Sequence, residues 1–159
     1  MLNDEQLEAY FSEHKLSGPV REYIRLTRSA PSRLVGTNAP KNLVTSFVSS
    51  KMGRSIQTES RTAEYTVALE LEYSRDVLEF WDQPEPVIAF RTYSNGKKRP
   101  GSYIPDFLAL TATGPEVIEV KPEDALRRLA EKNPTDWART DGHLTYRPGV
   151  AAFRTLGLA

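Results

Sequence analysis

Two apolar runs, Tyr103–Thr111 (YIPDFLALT) and Glu116–Lys121 (EVIEVK), are separated only by a short turn around Thr113-Gly114-Pro115. Runs rich in β-branched and aromatic residues, joined so closely, pair as an antiparallel hairpin. In the second run Ile118 and Val120 alternate with Glu119 and Lys121, so the apolar pair faces a core while Glu119 and Lys121 share the opposite face. Val87–Tyr93 (VIAFRTY) reads as a third strand, leading in through Ser94-Asn95-Gly96-Lys97, where Asn-Gly suits a tight hairpin turn. Thr58–Tyr73 has Ala63, Val67, Ala68 and Leu71 at helical spacing. Pro122 opens another helix that runs to about Lys132, proline being favoured in a first turn. Helix, three-stranded meander, helix is the order of an α/β (α+β) fold, with a mixed sheet flanked by helices.

The rest of the chain is plainer. Asn3 or Asp4 caps a helix from about Glu5 to His14, with Leu7, Tyr10 and Phe11 on one face, and Gly18-Pro19 ends it. A second short helix follows through Val20, Tyr23, Ile24 and Leu26. From Ser29 to about Gly53 the residues are those of an extended arm or long loop, with a short strand at Leu43–Val48. Asp76–Phe80 is strand-like. Asp141-Gly142 marks a tight turn, and Pro148 starts a last helix. At 159 residues the chain fits one core. The expected division is an N-terminal helical or extended arm, 1–50, and a main domain, 51–159. The absence of cysteine excludes disulfides, thiolate zinc sites and a thiol nucleophile. His14 and His143 are the only histidines, which excludes a histidine-rich metal site. The N-terminus has neither the basic start nor the apolar stretch of a signal peptide, so a cytoplasmic location is expected.

The chemistry centres on the hairpin. Asp106 lies within the apolar string YIPDFLAL, where a carboxylate is costly unless something compensates it, and a bound cation would do so. A hairpin brings Asp106 alongside Glu119 and Lys121. Two converging carboxylates make a hard oxygen site suited to Mg²⁺, with the Val120 carbonyl as an additional ligand. A lysine beside them can hold the attacking water and stabilise charge on a phosphate. Asp106, Glu119 and Lys121 together have the form of the PD-(D/E)XK nuclease core. The same residues on spacing alone also fit solvated strand faces and surface ion pairs. The helix 58–73 offers a third carboxylate from among Glu59, Glu64, Glu70 and Glu72. Glu64 borders the face that packs on the sheet.

The run ESRTAEYTVALELEYSRDVLEFWDQ (Glu59–Gln83), followed by YIPDFLAL and IEVKP, resembles the N-terminal nuclease domain of TnsA-type transposon-end endonucleases. The resemblance spans roughly Lys51 to Pro122 and weakens through the following helix. It implies a restriction-endonuclease-like fold. Its catalytic set falls on Glu64 rather than Glu59, and on Asp106, Glu119 and Lys121, with Mg²⁺ (or Mn²⁺) held by Glu64, Asp106, Glu119 and Val120. It further implies cleavage near the 5′ ends of a transposon, on double-stranded DNA. The implied partners are a transposase subunit with an RNase H-like fold, which cuts and joins the 3′ ends, and an ATPase regulator. The family pattern leads one to expect a further strand, and often a second domain, beyond GVAAFRTLGLA, so the nuclease domain is expected to be cut short there.

Charges balance at 21 basic against 21 acidic, so any DNA-binding surface has to come from local segregation. Lys51, Arg54 and Arg61 cluster around the start of the catalytic-helix candidate, and Lys97, Lys98 and Arg99 occupy the turn before the Asp106 strand. Both groups are candidates for phosphate contact. No helix-turn-helix or zinc finger is evident, which leaves base reading to a partner. Gln83, in the WDQP turn, either approaches the site or only shapes the loop. A restriction- or repair-type nuclease, and a silent DNA-binding or assembly module, are the alternative readings.

Overall fold

In a computed structural model the elements run α1 (Asp4–Glu13), α2 (Gly18–Ser29), β1 (Thr45–Ser49), β2 (Arg54–Thr58), α3 (Ala63–Tyr73), β3 (Val77–Asp82) and β4 (Val87–Thr92). They continue with β5 (Lys98–Tyr103), β6 (Phe107–Thr111), β7 (Gly114–Ile118), α4 (Glu123–Lys132), β8 (Trp137–Thr140), β9 (His143–Tyr146) and α5 (Arg147–Leu156). The structure describes residues 1–29, 45–58, 63–93, 95–140 and 143–158. Leu43, Glu59, Arg61, Ser94 and the Asp141-Gly142 turn lie outside the described residues. The class is mixed α/β, as expected. The chain divides into two compact units, Met1–Glu85 with Pro105–Val120, and Pro86–Ile104 with Lys121–Ala159. No described helix is long and apolar enough to cross a membrane.

In the first unit, β6 lies between β3 and β7 in an antiparallel sheet. All five β6 residues are buried, which is why FLALT carries no polar side chain except its final threonine. Phe80 and Trp81 of β3 are also sealed from solvent. α1 begins at a capping box in which Asn3 and Gln6 exchange side-chain-to-backbone hydrogen bonds, each 2.9 Å. Its Tyr10 hydroxyl donates to the Thr111 carbonyl at 3.0 Å, fixing the helix to the end of β6. α2 contributes Val20 and Ile24, both fully buried.

The three-stranded sheet exists, but its members differ from the expected ones. Residues 87–92 pair with Lys98–Tyr103, not with the Asp106 strand. The Asn95-Gly96 turn closes a hairpin of its own, with the Tyr93 N–H donating to the Lys97 carbonyl at 3.0 Å. Only Gly96 takes a positive φ, 75°, while Asn95 accepts the Lys97 N–H on its Oδ1. Pro105, which has no N–H to give a ladder, then separates Tyr103 from Phe107, so YIPDFLALT is two strands rather than one. β7 starts two residues earlier than the apolar pattern suggests, because Ala112-Thr113 alone makes the turn. Thr111 Oγ1 secures it by donating to the Gly114 carbonyl at 2.8 Å.

The stretch expected to be an extended arm contains a β1–β2 hairpin, paired Phe47 to Ile56 at its centre. The intervening serines, threonines and glutamine mask its alternation. Glu72 of α3 closes the turn by accepting from the Ser49 hydroxyl and from the N–H groups of Ser50 and Lys51.

In the second unit, Val87 and Ala89 of β4 are buried and α5 packs on that strand. Gly149 allows the close approach: a Cβ there would lie 2.6 Å from Tyr103 Cε1. Trp137 and Tyr146 stand opposite each other on β8 and β9. Arg91 Nε meets Asp136 Oδ2 at 3.2 Å.

Glu79 is the most costly group in the first unit, a carboxylate with no exposed surface. Arg28 reaches it at 2.6 Å, the Leu2 N–H donates to its other oxygen, and Arg28 also donates to the Leu2 carbonyl at 2.8 Å. Burial nevertheless holds its carboxyl above the ordinary range, against the pull of Arg28. Replacing Arg28 by Met strands this charge and should destabilise the protein by about 3–5 kcal/mol. The double variant R28M/E79Q should recover most of that stability in urea denaturation. If single and double variants unfold alike, the two groups are not coupled.

Glu72 behaves in the opposite sense. Burial pushes its carboxyl up, but the Ser49 hydroxyl, the Lys51 and Ser50 N–H groups and the Lys51 charge outweigh this and hold it below its ordinary 4.5. A carboxyl depressed on folding stabilises above its unfolded pKa and loses that contribution as pH falls through its folded value. Wild type should therefore lose stability below about pH 4.5 more steeply than Glu72→Gln, read from denaturation midpoints across an acid series. Parallel curves would contradict the assignment.

Candidate active site at the open end of the three-stranded sheet

The β6–β7 register places Phe107 opposite Ile118. Asp106 and Glu119 are the residues next to this last ladder pair, at the same end of β6 and β7, and both are partly exposed. A further hydrogen bond fixes them: the Val120 N–H donates to Asp106 Oδ2 at 2.7 Å. That bond leads the chain out of the ladder, so Glu119 and Val120 follow β7 rather than extend it. Asp106 likewise precedes β6 instead of sitting in mid-strand, because Pro105 interrupts the run.

The third strand contributes to the same end. β3 pairs Asp82 with Phe107, and the next residue, Gln83, donates its N–H to the Asp106 carbonyl at 3.2 Å. Gln83 and Asp106 are therefore neighbours across the ends of β3 and β6. Gln83 is 6% exposed and has a φ of 48°, a conformation unfavourable for a residue with a Cβ. Asp82 beside it is buried, which raises its carboxyl, opposed by the Gln57 N–H and the Arg54 charge. The Gln57 N–H lies 3.0 Å from Asp82 Oδ2.

The remaining candidates fall as follows. Glu64 is in the first turn of α3, partly buried. Among the described residues no three Asp, Glu or His side chains form a group that could hold a metal ion. Lys121 follows Val120 directly in the chain and opens the second segment of the other compact unit.

Lys51 requires a correction. Its Nζ donates to the carbonyls of Leu71, Ser74 and Val77, each at 2.7 Å. All three ammonium donors are thereby spent on carbonyls at the end of α3 and the start of β3, as a helix C-terminus favours. In this structure the group acts as a helix cap. Arg54, partly buried at the start of β2, directs its charge at Asp82. Lys97, Lys98 and Arg99 are exposed.

The model of the TnsA-like endonuclease N-terminal domain matches residues 74–152, which supports a TnsA-type nuclease domain over that stretch. The matched stretch contains Gln83, Asp106, Glu119, Val120 and Lys121, and begins after Glu64. No curated protein matches the chain closely enough to count as a relative.

Lys51→Met should lower stability by about 1–3 kcal/mol, the cost of leaving buried carbonyls without donors. Its affinity for duplex DNA should equal that of wild type in the folded range, measured by fluorescence anisotropy. A selective drop in DNA affinity at unchanged stability would restore Lys51 as a phosphate ligand.

Proposed function

We propose that this domain is a Mg²⁺-dependent DNA endonuclease that hydrolyses phosphodiester bonds at the 5′ ends of a transposon. The observation that carries the reading is the position of Asp106 and Glu119 next to the last β6–β7 pair, with Lys121 two residues after Glu119, in a stretch that matches the TnsA-like endonuclease N-terminal domain. The donor chemistry fits the cation. Asp106 and Glu119 offer hard carboxylate oxygens, and Mg²⁺ takes one or two carboxylates together with waters and substrate phosphate. Glu64 and the Val120 carbonyl complete the proposed ligand set. Mn²⁺ suits the same donors.

When bound, the metal supplies Lewis acidity at the scissile phosphate. The chain's own groups do the rest. Asp106 is held in place by the Val120 N–H on one side of its carboxylate and by the Gln83 N–H on its carbonyl. That fixed carboxylate, with Glu119, orients the substrate phosphate relative to the attacking water. Lys121 donates a hydrogen bond to that water and balances negative charge developing on the phosphate. The proposed partners follow the family: duplex DNA at the transposon ends, an RNase H-like transposase subunit that processes the 3′ ends, and an ATPase regulator. A cytoplasmic, bacterial setting is proposed with them.

Purified protein, with the partner transposase present, should nick transposon-end DNA in Mg²⁺ or Mn²⁺. Asp106→Ala should reduce the rate by about a hundredfold or more, while DNA affinity is retained. Nicking by Asp106→Ala at the wild-type rate would end the active-site assignment.

A further inference from the structure

The β4–β5 hairpin, with the residues that lead into it, carries a charge bias the whole chain lacks. From Pro86 to Tyr103 there are four basic residues, Arg91, Lys97, Lys98 and Arg99, and no Asp or Glu, in a protein balanced 21 to 21. Arg91 is engaged by Asp136. Among the described residues, Lys97, Lys98 and Arg99 pair with no carboxylate. Arg99 lies 5.1 Å above the Tyr93 ring, which steadies one guanidinium at the tip.

The two faces of the hairpin differ. Val87 and Ala89 are turned inward, 9% and 2% exposed. Ile88 and Phe90 alternate with them and are 59% and 56% exposed, standing opposite Ser102 and Pro100. Lys98, opposite Thr92, continues this outer row toward the tip. An exposed apolar stripe that ends in cations without carboxylate partners suits a ligand with apolar edges between rows of negative charge. Duplex DNA presents sugar and base edges in its grooves between phosphate backbones, and two-stranded ribbons enter such grooves.

We propose that the β4–β5 hairpin grips duplex DNA, with Ile88, Phe90 and Pro100 of its outer face against the groove, Lys98 of the same face on a phosphate, and Lys97 and Arg99, exposed at the tip with Arg99 opposite Arg91 on the other face, on phosphates alongside. The idea rests on the endonuclease reading only in taking DNA as the partner. The two contributions are separable because binding to phosphates depends on salt and apolar burial does not.

The test uses the full chain and a fluorescent synthetic duplex, titrated in EDTA over a series of NaCl concentrations, so that no cleavage is required. The variant K97A/K98A/R99A should flatten the slope of log affinity against log salt by about 0.9 for each phosphate these side chains neutralise. Phe90→Ser should weaken binding about tenfold with the slope unchanged. Both changes lie on exposed positions, and unchanged thermal unfolding confirms that they fold. If both variants bind with wild-type affinity and slope, or if wild type does not bind the duplex, the proposal is overturned. Cleavage by wild type in Mg²⁺ then reports separately on the active site: a protein that cleaves yet shows no hairpin effect sinks only the grip. One that binds through the hairpin but never cleaves sinks only the nuclease.

Discussion

The full burial of β6 between β3 and β7 is the constraint on which the site depends. A strand covered on both sides cannot shift register without moving its entire apolar set, so the pairing of Phe107 with Asp82 and with Ile118 is strongly specified. Asp106 is the first residue beyond that pairing. It sits where the ladder ends and solvent begins, and its carboxylate takes the N–H that Val120 would otherwise leave without a strand partner. Gln83 falls beside it by the same register, its N–H on the Asp106 carbonyl. The place of Asp106 is thus a product of core packing a residue away.

Several charges that look functional in one dimension are structural in three. Lys51 caps a helix end by donating to three carbonyls, Glu72 organises the β1–β2 turn, and Glu79 holds Arg28 in the interior. Each sits where a backbone group or an opposite charge offsets its desolvation. What is left outside this set includes the exposed basic tip of the β4–β5 hairpin. A balanced total charge conceals this sorting, since the same count of lysines and arginines serves either as internal ties or as an outward field.

The site was legible to the extent that its elements are local. Asp106, Glu119 and Lys121 stand out because carboxylates in apolar surroundings demand compensation, and the short connection between the two segments shows that they pair. The capping box at Asn3 and the proline-led helix after Lys121 are likewise set by neighbours in the chain. Of the β1–β2 hairpin the sequence showed the first strand, expected at Leu43–Val48, but not its partner, since serines and threonines at alternate positions look like loop. Nor was the pairing of residues 87–92, because an Asn-Gly turn announces a hairpin without saying where the returning strand ends. Pro105 decided that, by breaking YIPDFLALT into the end of one hairpin and the core strand of another sheet. Gln83 carried no distinguishing mark beyond the proline that follows it.

The sequence by itself determined the class of fold, the cap at Asn3, the proline-led start of α4 and the Asn-Gly hairpin turn, and it put forward Asp106, Glu119 and Lys121 as candidates. All of these follow from propensity, capping and alternation over a few residues. Only the tertiary structure decided which strands share a sheet and which lysine is an internal cap. It also decided that Gln83 stands beside Asp106. Those outcomes depend on hydrogen bonds between residues far apart in the chain, such as Lys51 with Val77 and Gln83 with Asp106. Asp106 and Glu119 are read from the sequence as candidates, and it is the register around β6 that brings both to one end of the β6–β7 pair.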